Sequence, residues 1–229
     1  MIKKFVILIL TILGFIVGYN MSKVINKMIL WKEKKKNKTY TISRPEYPKD
    51  KWINGLVISL GIFLAFYYLE IYEAVLASII CISAVFGVRI DERIRIIPNE
   101  LVLFIMILGI VHQLLTNGIR GLGSGFLALI ITGAIFFLSA FVTRFFSGSI
   151  GVGAGDIKLA MALSIIMGLE NMSIFLIGIV LFLVVYLLIG FFTKTIAIGS
   201  SFPMCIQIMG GSIIAVYKPI IMEIIRFFN

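Results

Sequence analysis

Two carboxylates attract attention in a chain that otherwise keeps charge out of its long apolar runs. Asp91 lies in Val88-Arg89-Ile90-Asp91-Glu92-Arg93-Ile94-Arg95-Ile96-Ile97-Pro98-Asn99, at the end of one such run. Asp156 lies in Gly151-Val152-Gly153-Ala154-Gly155-Asp156-Ile157-Lys158, at the start of another. Two neighbouring carboxyls do not both ionise cheaply, so they share a proton. The ionised partner takes a proton from water, which attacks a peptide carbonyl. The protonated partner donates to the carbonyl oxygen and then helps the amine leave. The titration belongs to the pair, so acid and base are not assigned separately. Ionisable groups at membrane depth are costly and point to function by default.

Each motif also has a plain reading. Asp91 with Glu92 and three arginines fits a solvated loop, and the glycine run fits a turn between helices. The run is not a P-loop, because no Gly-Lys-Ser/Thr follows, and no strand–helix alternation makes it a dinucleotide fingerprint. Gly151, Gly153 and Gly155 are expected to supply positive φ and close backbone approach. Pro98 suits the first turn of the next helix, with Glu100 near its positive end.

The elements that would carry these residues are membrane spans. Of 229 residues, 60% are hydrophobic and 14% charged, which a soluble domain could not cover with polar groups. The expected fold class is an all-α, polytopic integral membrane protein with about eight transmembrane helices. The apolar segments are Phe5–Asn20, Ile53–Leu69, Ala74–Val88, Leu101–Leu115, Gly125–Val142, Ile157–Leu169, Ile174–Phe192 and Phe202–Tyr217. The sixth reaches only ~20 Å at 1.5 Å per residue, so it must be longer than its uncharged part, and extending it backwards would draw Asp156 towards the hydrocarbon. The third can continue through Arg89 to Asp91. The expected organisation is a first transmembrane helix over 1–20, a short basic cytoplasmic loop over 21–52 and a multi-helix membrane domain over 53–229. No small-x-small cleavage site follows the first run, which reads as a retained helix.

Two spans separate the motifs, so both carboxylates belong on the same membrane face. With the N terminus outside, sixteen of the 21 Lys and Arg residues fall on inner segments and five on outer ones. That bias makes the shared face cytoplasmic. Ten of them lie between Lys23 and Lys51, which suits contact with anionic lipid rather than nucleic acid. Cys81 and Cys205 sit singly in apolar runs and suggest neither disulfides nor zinc. His112, the sole histidine, falls near the outer end of the fourth span and is read as interfacial. Lys158, two residues beyond Asp156, would not share its helical face.

At these residues the sequence resembles the type IV prepilin peptidase family of GxGD aspartyl proteases. The family has an Asp seven residues before Pro-Asn, here Asp91 before Pro98-Asn99, which selects Asp91 over Glu92. Its Gly-x-Gly-Asp with Lys-Leu appears as Gly153-Ala154-Gly155-Asp156-Ile157-Lys158-Leu159. Gly14-Phe15-Ile16-Val17-Gly18, Tyr47-Pro48 and Ser201-Phe202-Pro203 extend the resemblance, although Lys51 stands where a Glu is usual. It implies a catalytic pair Asp91 and Asp156, supported by Gly153, Gly155, Lys158 and Pro98. It implies a prepilin or pseudopilin precursor as substrate, cut after Gly behind a basic leader, at the inner face of a bacterial cytoplasmic membrane, for a pilus or secretion pathway. Many members carry two Cys-x-x-Cys pairs that bind zinc and N-methylate the product with S-adenosylmethionine. The corresponding loop here has no cysteine, so no zinc is expected and methylation is open. The competing functions are a proton- or cation-coupled transporter using the same two acids, and a catalytically silent assembly protein of this fold.

Overall fold

The computed structural model describes residues 2–37, 39–147, 153–194 and 203–228. Among them the only regular secondary structure is helix, without strands. Its helices are α1 (Ile2–Lys36), α2 (Pro48–Tyr68), α3 (Ile71–Ile94), α4 (Asn99–Ser147), α5 (Ala154–Phe192), α6 (Cys205–Val216) and α7 (Lys218–Phe228). Helices α1 to α5 are long and apolar enough to cross a membrane. Phe137, Leu138 and Phe141 on α4 are more than 60% exposed. A protein in water would not sustain such surface, whereas lipid solvates it. The chain is a membrane protein.

Helix α1 does not stop near residue 20. It runs on to Lys36, so only residues 37 and 39–47 of the expected loop are non-helical among those described. The periodicity that keeps Met21 and Ile25 buried continues past the apolar stretch and holds the helix together.

The chain divides into two compact units, Met1–Ile96 with Tyr217–Asn229, and Ile97–Val216. In the first, Met21, Ile25, Ile58, Ile62, Ile90 and Ile94 bring α1, α2 and α3 into one apolar core. Gly14 and Gly18 form a small-xxx-small pair. A Cβ on Gly18 would stand 2.5 Å from the Asn54 carbonyl oxygen, and one on Gly14 2.5 Å from the Ile62 side chain. Backbone contact this close is how helices associate where no water drives them together.

In the second unit, α4 has 49 residues, about 73 Å of helix against a ~30 Å hydrocarbon core. It is not one rod. Gly118 has φ 60 and ψ −146, a conformation essentially restricted to glycine. A Cβ on Gly125 would lie 3.4 Å from the Gln113 side chain, although twelve residues of straight helix would separate them by ~18 Å. Gly109 and Gly125 both abut Ile165. The chain therefore reverses at Gly118, and segments Leu101–Leu115 and Gly125–Val142 lie side by side. Gly168, with φ 58 and ψ −173, breaks α5 in the same manner. Helix α6 then packs on α5, with Gly211 against Gly178 and Gly210 against Phe182.

The break at Gly168 frees carbonyls in an apolar setting, and two side chains take them up. Buried Gln113 donates its Nε2 to the Ile165 and Ile166 carbonyls at 2.9 and 3.1 Å. On the far side of the break, the Leu169 N–H donates to Ser124 Oγ at 2.9 Å. Unsatisfied backbone groups cost several kcal/mol in hydrocarbon, roughly, so a broken span requires such partners.

Candidate active site

Asp91 belongs to the first unit. Helix α3 continues through it to Ile94, and the residue is 5% exposed. That excludes the solvated-loop reading. Two neighbours on α3, Ile90 and Ile94, are in the apolar core. The helix ends one turn later on Arg95, whose left-handed backbone (φ 54) lets its N–H donate to the Asp91 carbonyl at 2.8 Å. The Ser43 N–H donates to the Arg93 carbonyl at 2.7 Å, so the 39–47 segment also closes the end of α3.

Around this helix end stands a charge cluster that the sequence alone did not suggest. Asp50 and Asn54, both buried, come from the first turns of α2. Asp50 meets Arg44 at 3.1 Å and Arg89 at 3.4 Å. Glu92 meets Arg89 at 2.9 Å and is also bonded to Arg44. Arg89 Nε donates to Asn54 Oδ1 at 2.7 Å, and the Tyr47 N–H donates to Asp50 Oδ2 at 3.0 Å. Beside them Arg93 pairs with Glu46 at 2.6 Å. Burial alone would raise the Glu46 carboxyl, but hydrogen bonds from Ser22, Arg93 and Asn26 and the Arg93 charge outweigh it, holding the group below its ordinary range. The available sequence signal was an acid and an amide spaced i, i+4 at the start of α2. It was obscured by Lys51, the neighbour that breaks the family pattern.

Asp156 belongs to the second unit, in the first turn of α5. The helix does extend backwards to take it in. Gly153 is the N-cap, and its N–H donates to Asp156 Oδ2 at 3.1 Å. The carboxylate thereby satisfies a backbone donor at the positive end of the helix. Of the two roles expected of the glycines, close approach is present at Gly153 and Gly155 and positive φ is not. Gly153 has φ −70, and Gly155 is helical. What each needs is space. A Cβ on Gly153 would fall 2.8 Å from Asp156 Oδ2, and one on Gly155 3.3 Å from Ile97 Cβ. Gly151 lies outside the described residues.

The contact between Gly155 and Ile97 matters for topology. It brings the start of α5 to the start of α4 inside one unit, as the reversal at Gly118 requires. Pro98 is buried immediately before α4, one position earlier than expected, and its carbonyl accepts the N–H groups of Leu101 and Val102 at 3.1 and 3.2 Å. Lys158 is helical and exposed, so it does not share the face of Asp156. His112 stands thirteen residues along α4, about 20 Å from this end.

Pro98, Gly153, Gly155, Asp156 and Lys158 thus share one end of the second unit, while Asp91 sits with its charge cluster in the first. Among the described residues no three His, Cys, Asp or Glu side chains are grouped to hold a metal. Cys81 and Cys205 are both buried and in no disulfide, one in each unit.

A family model described as the type IV leader peptidase family matches residues 75–193. The match covers more than half the chain and includes both acids and the glycines before Asp156. Arg44 and Asp50 lie outside it. Neither a curated protein nor a solved structure matches the chain.

Proposed function

The chain belongs to the type IV leader peptidase family, and from that membership we propose an aspartyl endopeptidase that removes the basic leader of prepilin-like precursors. The family is one of peptidases, and its substrates are prepilin-like. The single observation that supports the finer reading is that Asp91 and Asp156, the acids of the two stretches by which the sequence resembles the family, both lie within the matched residues 75–193.

In this reading Asp91 and Asp156 share a proton. The ionised carboxylate draws a proton from water, and the resulting nucleophile adds to the carbonyl carbon of the scissile bond after Gly. The protonated carboxyl donates to the carbonyl oxygen, and collapse of the tetrahedral intermediate expels the protonated amine. Burial of Asp91 and the Gly153 N–H on Asp156 support roles as held reactive groups rather than surface charges. The mechanism uses no zinc and no other cofactor. S-adenosylmethionine enters only if methyl transfer accompanies cleavage.

We place the enzyme in a bacterial cytoplasmic membrane, crossing it eight times with its N terminus outside and both acids at the inner face. The substrate helix then lies in the bilayer with its leader in the cytoplasm. Pilus and secretion precursors share this chemistry.

The test is cleavage of a prepilin by purified wild type, Asp91→Asn and Asp156→Asn. Each substitution is expected to abolish cleavage while leaving helical content and thermal unfolding unchanged. Full cleavage by either variant overturns the pair. Ion flux into liposomes without any cleavage turns the reading to a transporter, and neither activity turns it to an assembly protein. Mass spectrometry of the product with S-adenosylmethionine present tests methylation.

A further inference from the structure

Arg44, Asp50, Arg89 and Glu92 form a closed ring in which every charge touches two of opposite sign: Arg44 to Asp50, Asp50 to Arg89, Arg89 to Glu92 and Glu92 to Arg44. Three separate pieces of chain supply it: the 39–47 segment, the first turn of α2 and the last turns of α3. Two positive and two negative charges cancel, so the ring adds little net field around it.

The position of Asp91 relative to this ring follows from helical geometry. At about 100° per residue, Arg89 and Glu92 lie roughly 60° apart on α3, with Asp91 about 100° round from Glu92. Ile90 and Ile94 lie on the opposite side of Asp91, in the apolar core. Asp91 therefore stands between two flanks that are each held. An apolar flank alone resists rotation weakly, because aliphatic side chains repack with little directional cost. A doubly bonded guanidinium has a fixed fork geometry and resists it strongly.

We propose that this ring is a positioning device for Asp91, setting the rotation of α3 and hence the direction of its carboxyl. Arg44, Asp50, Arg89 and Glu92 are then positioning residues, and the 39–47 segment belongs to the functional machinery although the family match starts at residue 75. The short segment works as a strap. It supplies Arg44 to the ring and the Ser43 N–H to the end of α3. The charge ring need not contribute to stability in order to do this, since buried ion pairs often break even energetically while fixing a geometry.

The kinetic part of the test rests on the proposed peptidase activity, and the labelling part does not. The variants are Arg44→Gln, Glu92→Gln and the two combined. Each single change leaves an uncompensated charge, whereas the double change leaves the Arg89–Asp50 pair balanced. With a prepilin substrate, each single variant is expected to lose roughly tenfold or more in kcat with KM unchanged, and the double variant to regain most of the loss. In parallel, an Asp91→Cys substitution is made in a Cys81→Ala, Cys205→Ala background and its maleimide labelling rate measured in detergent. Each single ring change is expected to raise that rate roughly tenfold by freeing the buried position, and the double change less. Circular dichroism checks that the helical content is kept.

Unchanged labelling overturns the proposal whatever the activity. Faster labelling with unaltered kcat overturns it too, since the ring would then hold the residue without serving catalysis. A wild type that cleaves no precursor, with faster labelling in the single variants, removes the peptidase reading and leaves the ring as the holder of Asp91.

Discussion

At Asp156 the neighbour with most influence has no side chain. Gly153 offers its N–H to Oδ2, and the space that a Cβ would occupy is 2.8 Å from that same oxygen. The atom in the way is the far end of a short side chain, which can turn aside without disturbing the backbone. Gly153→Ala should therefore fold normally and still displace the carboxyl. The expected outcome is a fall of about tenfold in kcat for prepilin cleavage with an unchanged thermal midpoint. A variant as active as wild type would show that the direction of the Asp156 carboxyl is not critical. Near Asp91 the neighbours Arg89 and Glu92 on α3 are charged. The Arg44 and Asp50 that join this end of α3 lie between forty and fifty residues before Asp91 in the sequence, so no local pattern marks them.

At the scale of elements, the two glycine breaks do more than divide long helices. Each sits in a backbone region that costs an L residue about 1–3 kcal/mol, and Gly168 also faces Gln113 Nε2 at 2.9 Å from the position of a Cβ. Gly168→Ala should lower the thermal midpoint in detergent more than Gly118→Ala does, because Gly118 has open space around that position. Equal shifts would mean that backbone strain alone matters. The polar partners of the break are part of the same design. Removing Gln113 leaves two carbonyls without their donor in an apolar unit, a loss of roughly 1–3 kcal/mol by the usual scale.

For the whole molecule, the reversal at Gly118 is what returns the chain to the end where α5 begins. Without it, Gly155 could not reach Ile97, and a chain with one long α4 would emerge on the opposite face. Membrane-impermeant thiol labelling in intact cells checks this directly. With the cysteines replaced, Gly123→Cys beside the reversal should label from outside, and Lys49→Cys at the start of α2 only after the membrane is opened. Labelling of both from one side contradicts the eight-crossing topology. The extension of α1 to Lys36 belongs to this scale as well, since it carries Asn26 and Glu33 towards the 39–47 segment, where the Tyr40 N–H donates to Glu33 at 2.9 Å.

Hydropathy located helices α1 to α6, and two short motifs located Asp91 and Asp156, because burial in lipid and the chemistry of a carboxyl each leave a local mark. The need for a longer sixth segment was also local, a matter of residue count against bilayer thickness. Three features were not local. Which atoms come close to Gly153 and Gly155, an Asp156 oxygen and Ile97, depends on folding, although the need for close approach was expected and positive φ is absent. The continuation of α1 depends on Met21 and Ile25 finding a core on other helices. The charge ring depends on three pieces of chain meeting, and a pairwise attraction between distant residues has no signature in the order of the residues themselves. The sequence by itself singled out Asp91 and Asp156 as the candidate acids. Only the tertiary structure brought Arg44 and Asp50 to Arg89 and Glu92 at the end of α3 and left room for the Asp156 carboxyl, because such meetings are set by contacts rather than by composition.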